Sequence, residues 1–116
     1  MRMLHTTRLV PGLLSTAVLL ALAGPTHAVD ADAAQALAKR SNCFKCHAID
    51  KKKEAVAWKE VAAKRKGKPD AQAELIKHIT TGPKVKDADG VEDTHPIIKS
   101  KNMDDIRNLV DWILSL

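Results

Sequence analysis

One short stretch, CFKCH (residues 43–47), constrains this 116-residue chain more than any other feature. It contains both cysteines of the sequence, Cys43 and Cys46, and a histidine, His47, directly follows the second. A zinc site would need a second ligand pair at matching spacing, and a thioredoxin-like redox pair would need a βαβ context. The other histidines after residue 28, His78 and His95, stand far apart, and no βαβ pattern is present. Both readings are therefore disfavoured.

The histidine after the second cysteine indicates a different chemistry. C-x-x-C-H is the attachment pattern of a c-type haem, in which the two thiols form thioethers with the porphyrin and the histidine ligates the iron. Cys43 and Cys46 lie three positions apart, so one helical turn directs both towards the same edge of a macrocycle. We therefore predict one covalently attached haem c, with His47 as the proximal iron ligand.

The first 28 residues have the pattern of a secretory signal peptide. Arg2 and Arg8 precede an apolar run, and small residues end at Ala28, where we expect cleavage. The run is short for a membrane span, which needs about 20 residues, so a retained anchor is the disfavoured alternative. We expect a periplasmic protein with one domain, residues 29–116, and no stable membrane insertion after cleavage.

The remainder of the chain is short of large side chains for a hydrophobic core. It has one phenylalanine, two tryptophans and no tyrosine. Two cysteines this close together would close too small a loop to stabilise the fold much. Small exported domains usually add disulfides or a bound group, and a covalently held porphyrin would fill such a core.

Amphipathic patterns predict an all-α fold of about four helices, with no convincing strand. Residues 83–101, between the third and fourth helices, show no periodicity. A connection of this length is uncommon in a compact domain unless it serves as a lid or a binding segment. We expect the first helix to begin at Asp30 or Asp32 and to run into the cysteine motif, and the second to cover residues 55–66. The third should run from Pro69 or Asp70 to Gly82, and the fourth should follow Asn102 as its N-cap.

Four blocks in this order resemble the small bacterial class I cytochromes c: NCFKCHAID, AWKEVAAKRKGK, AELIKHITTG and LVDWILS. The resemblance covers essentially all of residues 29–116. It implies a non-enzymatic single-haem electron carrier built from a few helices around the haem. It also implies that the first and last helices cross, so that Leu37 packs against residues 109–113, with Trp112 in the core.

The resemblance further implies a second axial iron ligand, usually a methionine in the loop before the last helix. Met103 is the one methionine after residue 28, and it falls in the first turn of that helix. His95, followed by Pro96, stands near the expected position. We therefore predict bis-histidine ligation by His47 and His95, with a lowered reduction potential, because imidazole favours ferric iron more than a thioether does. Met103, His78 and an open site remain alternatives.

A second departure concerns the loop after the cysteine motif. The resembled family commonly has Gly-Pro ahead of the aromatic residue, and the carbonyl of that proline accepts a hydrogen bond from the proximal histidine. Val56 occupies the proline position here. Its carbonyl is the expected acceptor for His47.

Lysines flank both the motif and the candidate ligand loop, at residues 51–53, 84, 86, 99 and 101. They would steer docking onto acidic redox proteins, although a solvated surface is the plain alternative. The formal charge of +5 falls to +3 without the signal segment, and no aromatic residues interleave the lysines as nucleic-acid binding would require.

We expect a one-electron carrier between redox proteins. The rival is a sensor of small gases that displace the sixth ligand, whereas a peroxidase would need an open iron face and a distal acid–base group.

Overall fold

A computed structural model describes residues 27–116. The predicted all-α fold of four helices is confirmed. The signal peptide and its apolar run fall outside the described residues, except for the two positions before the expected cleavage. Within residues 27–116 no helix is long and apolar enough to cross a membrane. The elements are α1 (Ala31–Arg40), a 3₁₀ turn (Cys43–Lys45), α2 (Trp58–Arg65), α3 (Ala71–Thr81), β1 (Lys84–Lys86), β2 (Glu92–Thr94) and α4 (Met103–Leu114).

The helix ends are set by the predicted capping residues. The Asp30 carboxylate accepts a hydrogen bond from the backbone N–H of Ala33 at 2.9 Å and so caps α1. The Asn102 side chain likewise accepts from the N–H of Asp104 at 2.9 Å and caps α4. At its C-terminal end, α3 stops at Gly82, whose φ of 62° lies in the left-handed region that favours glycine.

The core is organised around α4, on which α1, α2 and α3 all pack. Leu37 of α1 and Leu109 of α4 are each 1% exposed and belong to the same hydrophobic cluster, which confirms the predicted pairing of the first and last helices. The rings of Trp58 and Trp112 meet edge to face, with centroids 5.5 Å apart. Burial of such large apolar surfaces is the main source of stability in a domain of this size.

The first helix ends earlier than predicted. α1 stops at Arg40, and Asn42 then adopts a left-handed conformation with φ of 59°. Asparagine tolerates this region better than most residues, and one such residue is enough to break a helix. The cysteine motif is therefore a separate 3₁₀ turn rather than a continuation of α1.

Residues 84–94 form a short antiparallel ribbon, so the prediction of no strand was wrong here. Strands β1 and β2 pair with Lys84 opposite Thr94 and Lys86 opposite Glu92. Three-residue exposed strands carry no apolar alternation, which is why hydrophobic patterning did not reveal them. The dipeptide Asp89–Gly90 was the available signal, since Asp-Gly favours hairpin turns, and Gly90 has a φ of 80°.

Candidate haem site

The two cysteines lie on one tight turn at the edge of the helical core. The backbone N–H groups of Cys46 and His47 both donate to the carbonyl oxygen of Cys43, at 3.3 and 3.0 Å. Both thiols are free and half-buried. Burial raises the pKa of the Cys43 thiol. The turn thus presents two thiols on one side and directs the next residue, His47, into the core.

The ring of His47 is oriented by two contacts. Its Nδ1–H donates to the carbonyl oxygen of Val56 at 3.3 Å, which confirms the predicted acceptor. The ring also stacks on Trp58, the first residue of α2, with centroids 5.4 Å apart and planes 20° from parallel. Burial lowers the pKa of His47 and favours the neutral imidazole. With Nδ1 occupied, Nε2 is the nitrogen available to a metal.

His95 stands across from His47, just after strand β2. Its backbone N–H donates to the carbonyl oxygen of Pro83 at 2.8 Å, and its Nδ1–H donates to the carbonyl oxygen of Pro96 at 2.8 Å. The Nε2 atom again remains available. The ring centroids of His47 and His95 are 6.3 Å apart. The two imidazole rings therefore lie close together, each with its Nδ1 atom hydrogen-bonded and its Nε2 atom available.

An apolar cleft contains this gap. The donors it offers, two thiols and two imidazoles, suit a haem iron and its two thioether links, and the apolar walls suit a porphyrin face. The residues present therefore fit a c-type haem. The cleft is lined by Ser41, Asn42, Cys43, Cys46, His47, Trp58, Ile79, His95, Pro96, Ile97, Ile98, Leu109 and Ile113.

The alternative sixth ligands occupy other positions. Met103 is 40% exposed at the start of α4 and does not line the cleft. His78 of α3 packs edge to face against His95, with ring centroids 4.4 Å apart. Burial lowers the pKa of His78, and the neighbouring His95 and Arg65 lower it further. His78 thus contacts the candidate ligand.

Two residues support the site in ways that the sequence did not reveal. A Cβ added at Gly82 would lie 3.0 Å from the carbonyl oxygen of His95, so glycine permits this close approach. The buried Ser41 hydroxyl accepts a hydrogen bond from the N–H of Lys99 at 3.0 Å and links the attachment turn to the ligand segment. Gly82 had already been recognised as a helix stop. Ser41, two residues before the motif, gave no signal of its role.

Comparison with known proteins agrees with this geometry. The family model for cytochrome c matches residues 31–116. Cytochrome c-551 of Pseudomonas aeruginosa is 38% identical over 82 residues, covering 70% of this chain and 74% of that protein. Cytochrome c-552 of Nitrosomonas europaea is 37% identical over 82 residues, covering 69% and 75%.

A solved structure extends the similarity to the whole fold. The class 1 cytochrome MtoD from Sideroxydans lithotrophicus superimposes with a TM-score of 0.73 and is 54% identical, covering 76% of this chain and 97% of that one. The chain therefore belongs to the cytochrome c family, as a small class I cytochrome that carries electrons by means of a single covalently attached haem c.

Proposed function

We propose that this cytochrome is an exported one-electron carrier with a bis-histidine haem. In this proposal Cys43 and Cys46 form the thioether links, His47 is the proximal iron ligand and His95 is the sixth. The redox proteins that donate and accept the electron dock at the exposed side of the cleft. One observation carries the ligand assignment, the separation between the two imidazole rings.

That separation matches what one metal ion would require. Metal–imidazole bonds are about 2 Å long, and in a ring with bonds of about 1.33 Å each nitrogen lies about 1.1 Å from the centroid. Two imidazoles on opposite sides of one metal ion would thus have centroids about 6.3 Å apart. The rings of His47 and His95 are separated by 6.3 Å.

The segment around His95 is held on both sides, which favours a permanent ligand over a displaceable one. The N–H of His95 donates to Pro83, and the N–H of Ile98 donates to the carbonyl oxygen of Ile79 on α3 at 2.9 Å. These bonds fix the backbone that carries His95, so the ring could leave only by rotating about its own side-chain bonds and losing the Nδ1–Pro96 hydrogen bond. This supports electron transfer over gas sensing, and it leaves no open iron face for a catalytic reaction.

The haem, when bound, supplies an iron that alternates between the ferrous and ferric states. The protein sets the reduction potential of the iron and limits the movement of its ligands when the oxidation state changes. The His47–Val56 hydrogen bond and the stack on Trp58 hold the proximal ring in one orientation in either state. A second imidazole in place of a thioether should lower the potential relative to methionine-ligated relatives.

Substitution of His95, compared with His78 as a matched control, tests the assignment. The His95→Ala holoprotein should become high spin in the ferric state and bind CO rapidly when reduced. His78→Ala should stay low spin, because His78 only contacts the ligand. A low-spin, CO-inert His95→Ala protein would rule His95 out, and a ferric sulfur-to-iron charge-transfer band in the wild type would restore Met103.

We further propose that residues 1–28 are removed on export and that residues 29–116 form the mature periplasmic domain. The fold tolerates this cut, since the first capping residue is Asp30 and the exposed Val29 would become the new terminus. Mass spectrometry of the purified holoprotein tests it. A mass that includes residues 1–28 would indicate a retained anchor instead.

The lysine surface is proposed to steer acidic redox partners. Lys51 and Lys52 are exposed just after the attachment turn. Lys86, by contrast, lies opposite Glu92 in the ribbon, which offsets its charge. Lys51→Gln/Lys52→Gln should slow electron transfer with an acidic partner at low salt and flatten its salt dependence, whereas the charge-matched change of two other exposed lysines, Lys66→Gln/Lys68→Gln, should not. Equal effects of the two pairs would refute steering by this surface.

A further inference from the structure

Arg65, the last residue of α2, carries an unpartnered buried donor. Its side chain is half-buried, and its Nε atom is inaccessible to solvent and makes no hydrogen bond within residues 27–116. Neither ion pair found in this part of the chain involves Arg65. It is the one buried side-chain polar atom of the described residues that lacks a partner.

A buried guanidinium donor without a partner favours the binding of an anion. A guanidinium stays protonated in proteins, and leaving one of its donors buried without an acceptor is costly. Its planar fork of N–H groups matches the two oxygens of a carboxylate. The neighbouring lysine, Lys64, already has such a partner in Glu60 on the same helix, at 2.6 Å. No corresponding carboxylate of the described chain serves Arg65.

Arg65 lies on the same helix as Trp58, which lines the haem cleft. Trp58 and Arg65 are seven residues apart and so lie on the same face of α2, about 10 Å apart along the helix axis. Trp58 lies at the N-terminal end of that face and stacks on His47. At the other end, the charge of Arg65 acts on His78, whose ring packs against His95. Arg65 is thus close to the distal pair of histidines, on the face of α2 that the proximal histidine also contacts.

We propose that Arg65 binds a propionate carboxylate of the haem. The two propionates lie at the porphyrin edge opposite the former vinyl groups that the cysteines of the 43–47 motif would hold. Arg65 would supply the anchor at that opposite edge, giving the macrocycle a fixed tilt in the cleft. The bound carboxylate would in turn satisfy the buried Nε. The inference rests on the proposed attachment of the haem at Cys43 and Cys46.

The test uses the holoprotein variants Arg65→Gln and Arg65→Lys, with Lys64→Gln as a control that removes one positive charge at the adjacent exposed position. Arg65→Gln should shift the propionate bending band in the resonance Raman spectrum and lower the reduction potential, because a positive charge near the haem disfavours ferric iron. It should also raise the pKa of the haem carboxylate by about one unit or more, seen in the pH dependence of the potential. Lys64→Gln should leave the Raman band and the pKa unchanged.

Arg65→Lys keeps the charge but loses the fork, so it should recover part of the potential and only part of the Raman shift. It also keeps the proposal testable if Arg65→Gln fails to mature. A propionate band that is identical in the wild type and both Arg65 variants would overturn the proposal. That outcome would leave the haem attachment standing, provided that the visible spectrum still shows a haem c. A wild-type protein without haem would refute both.

Discussion

The Nδ1 atom of His47 lies 3.3 Å from the carbonyl oxygen of Val56. The resembled family commonly has proline at this position, and a main-chain carbonyl serves as acceptor whichever side chain precedes it. The contact therefore survives the loss of proline. What valine does not provide is the restriction of the unfolded chain that a proline ring imposes.

Val56→Pro should therefore stabilise the holoprotein while leaving the haem spectrum unchanged. The N–H of Val56 donates no hydrogen bond within the described residues, so none is lost. The expected gain is about 0.4–1 kcal/mol, from reduced entropy of the unfolded state. Urea denaturation followed at the haem absorbance measures it. Val56→Ala, which keeps the carbonyl without the ring, serves as the control, and a less stable proline variant would show that the loop needs another conformation.

Gly82→Ala should weaken the hold on His95. Gly82 has a φ of 62°, and an added Cβ would lie 3.0 Å from the His95 carbonyl oxygen and 3.1 Å from Cγ1 of Ile97. The left-handed conformation alone costs an alanine about 1–2 kcal/mol, and the clash adds to this cost by displacing the ligand segment.

The matched control is Gly90→Ala, where φ is 80° but nothing lies within 4 Å of the added Cβ. Both variants should lose stability, yet only Gly82→Ala should gain a high-spin fraction in the ferric spectrum. If both spectra stay fully low spin, the approach of Gly82 to the ligand segment has no bearing on coordination.

Most of the fold could be predicted because its signals are local. Asp30, Asn102 and Gly82 act within one turn of themselves, and the stripe on α4 encodes its own burial. The left-handed Asn42 and the ribbon of residues 84–94 were missed because neither depends on apolar periodicity. Asn42 interrupts a helix for a geometric reason, and the ribbon consists of exposed residues.

The residues of the site fall into the same two groups, those that local sequence signals reveal and those that they do not. The motif and its spacing indicated Cys43, Cys46 and His47 directly, since covalent attachment imposes a fixed sequence. Arg65 could not be recognised, because a charged residue at the end of a helix is usually solvated. Only the tertiary structure shows that its Nε is buried. Such relationships depend on tertiary contacts, which sequence patterns do not record.

Lys53 should have a structural role that its neighbours lack. Its Nζ donates to the carbonyl oxygen of Phe44, inside the attachment turn, at 2.7 Å. Lys53→Met should therefore destabilise the holoprotein, by about 1 kcal/mol at most because the bond is exposed to solvent. Lys51→Met should have no such effect. Thermal unfolding of the two variants measures the difference, and equal midpoints would show that the Lys53 bond contributes nothing.

His78 should titrate below its ordinary value. Burial lowers its pKa, and the nearby His95 and Arg65 act in the same direction. The ring is therefore neutral at pH 7, and it should take up a proton only at a pH below about 6.5, where the unfolded chain would already be protonated. Because the unfolded state then binds more protons, His78 makes the fold lose stability as the pH falls below about 6.5.

Proton NMR of the diamagnetic ferrous holoprotein measures the His78 titration directly. The imidazole resonances should move at lower pH than those of a histidine in a model peptide. Lys77→Gln, an exposed change at the adjacent position of α3, should leave that midpoint in place. A midpoint at or above 6.5 would mean that His78 is solvated rather than packed against His95, and the close pairing of the two rings would then have to be abandoned.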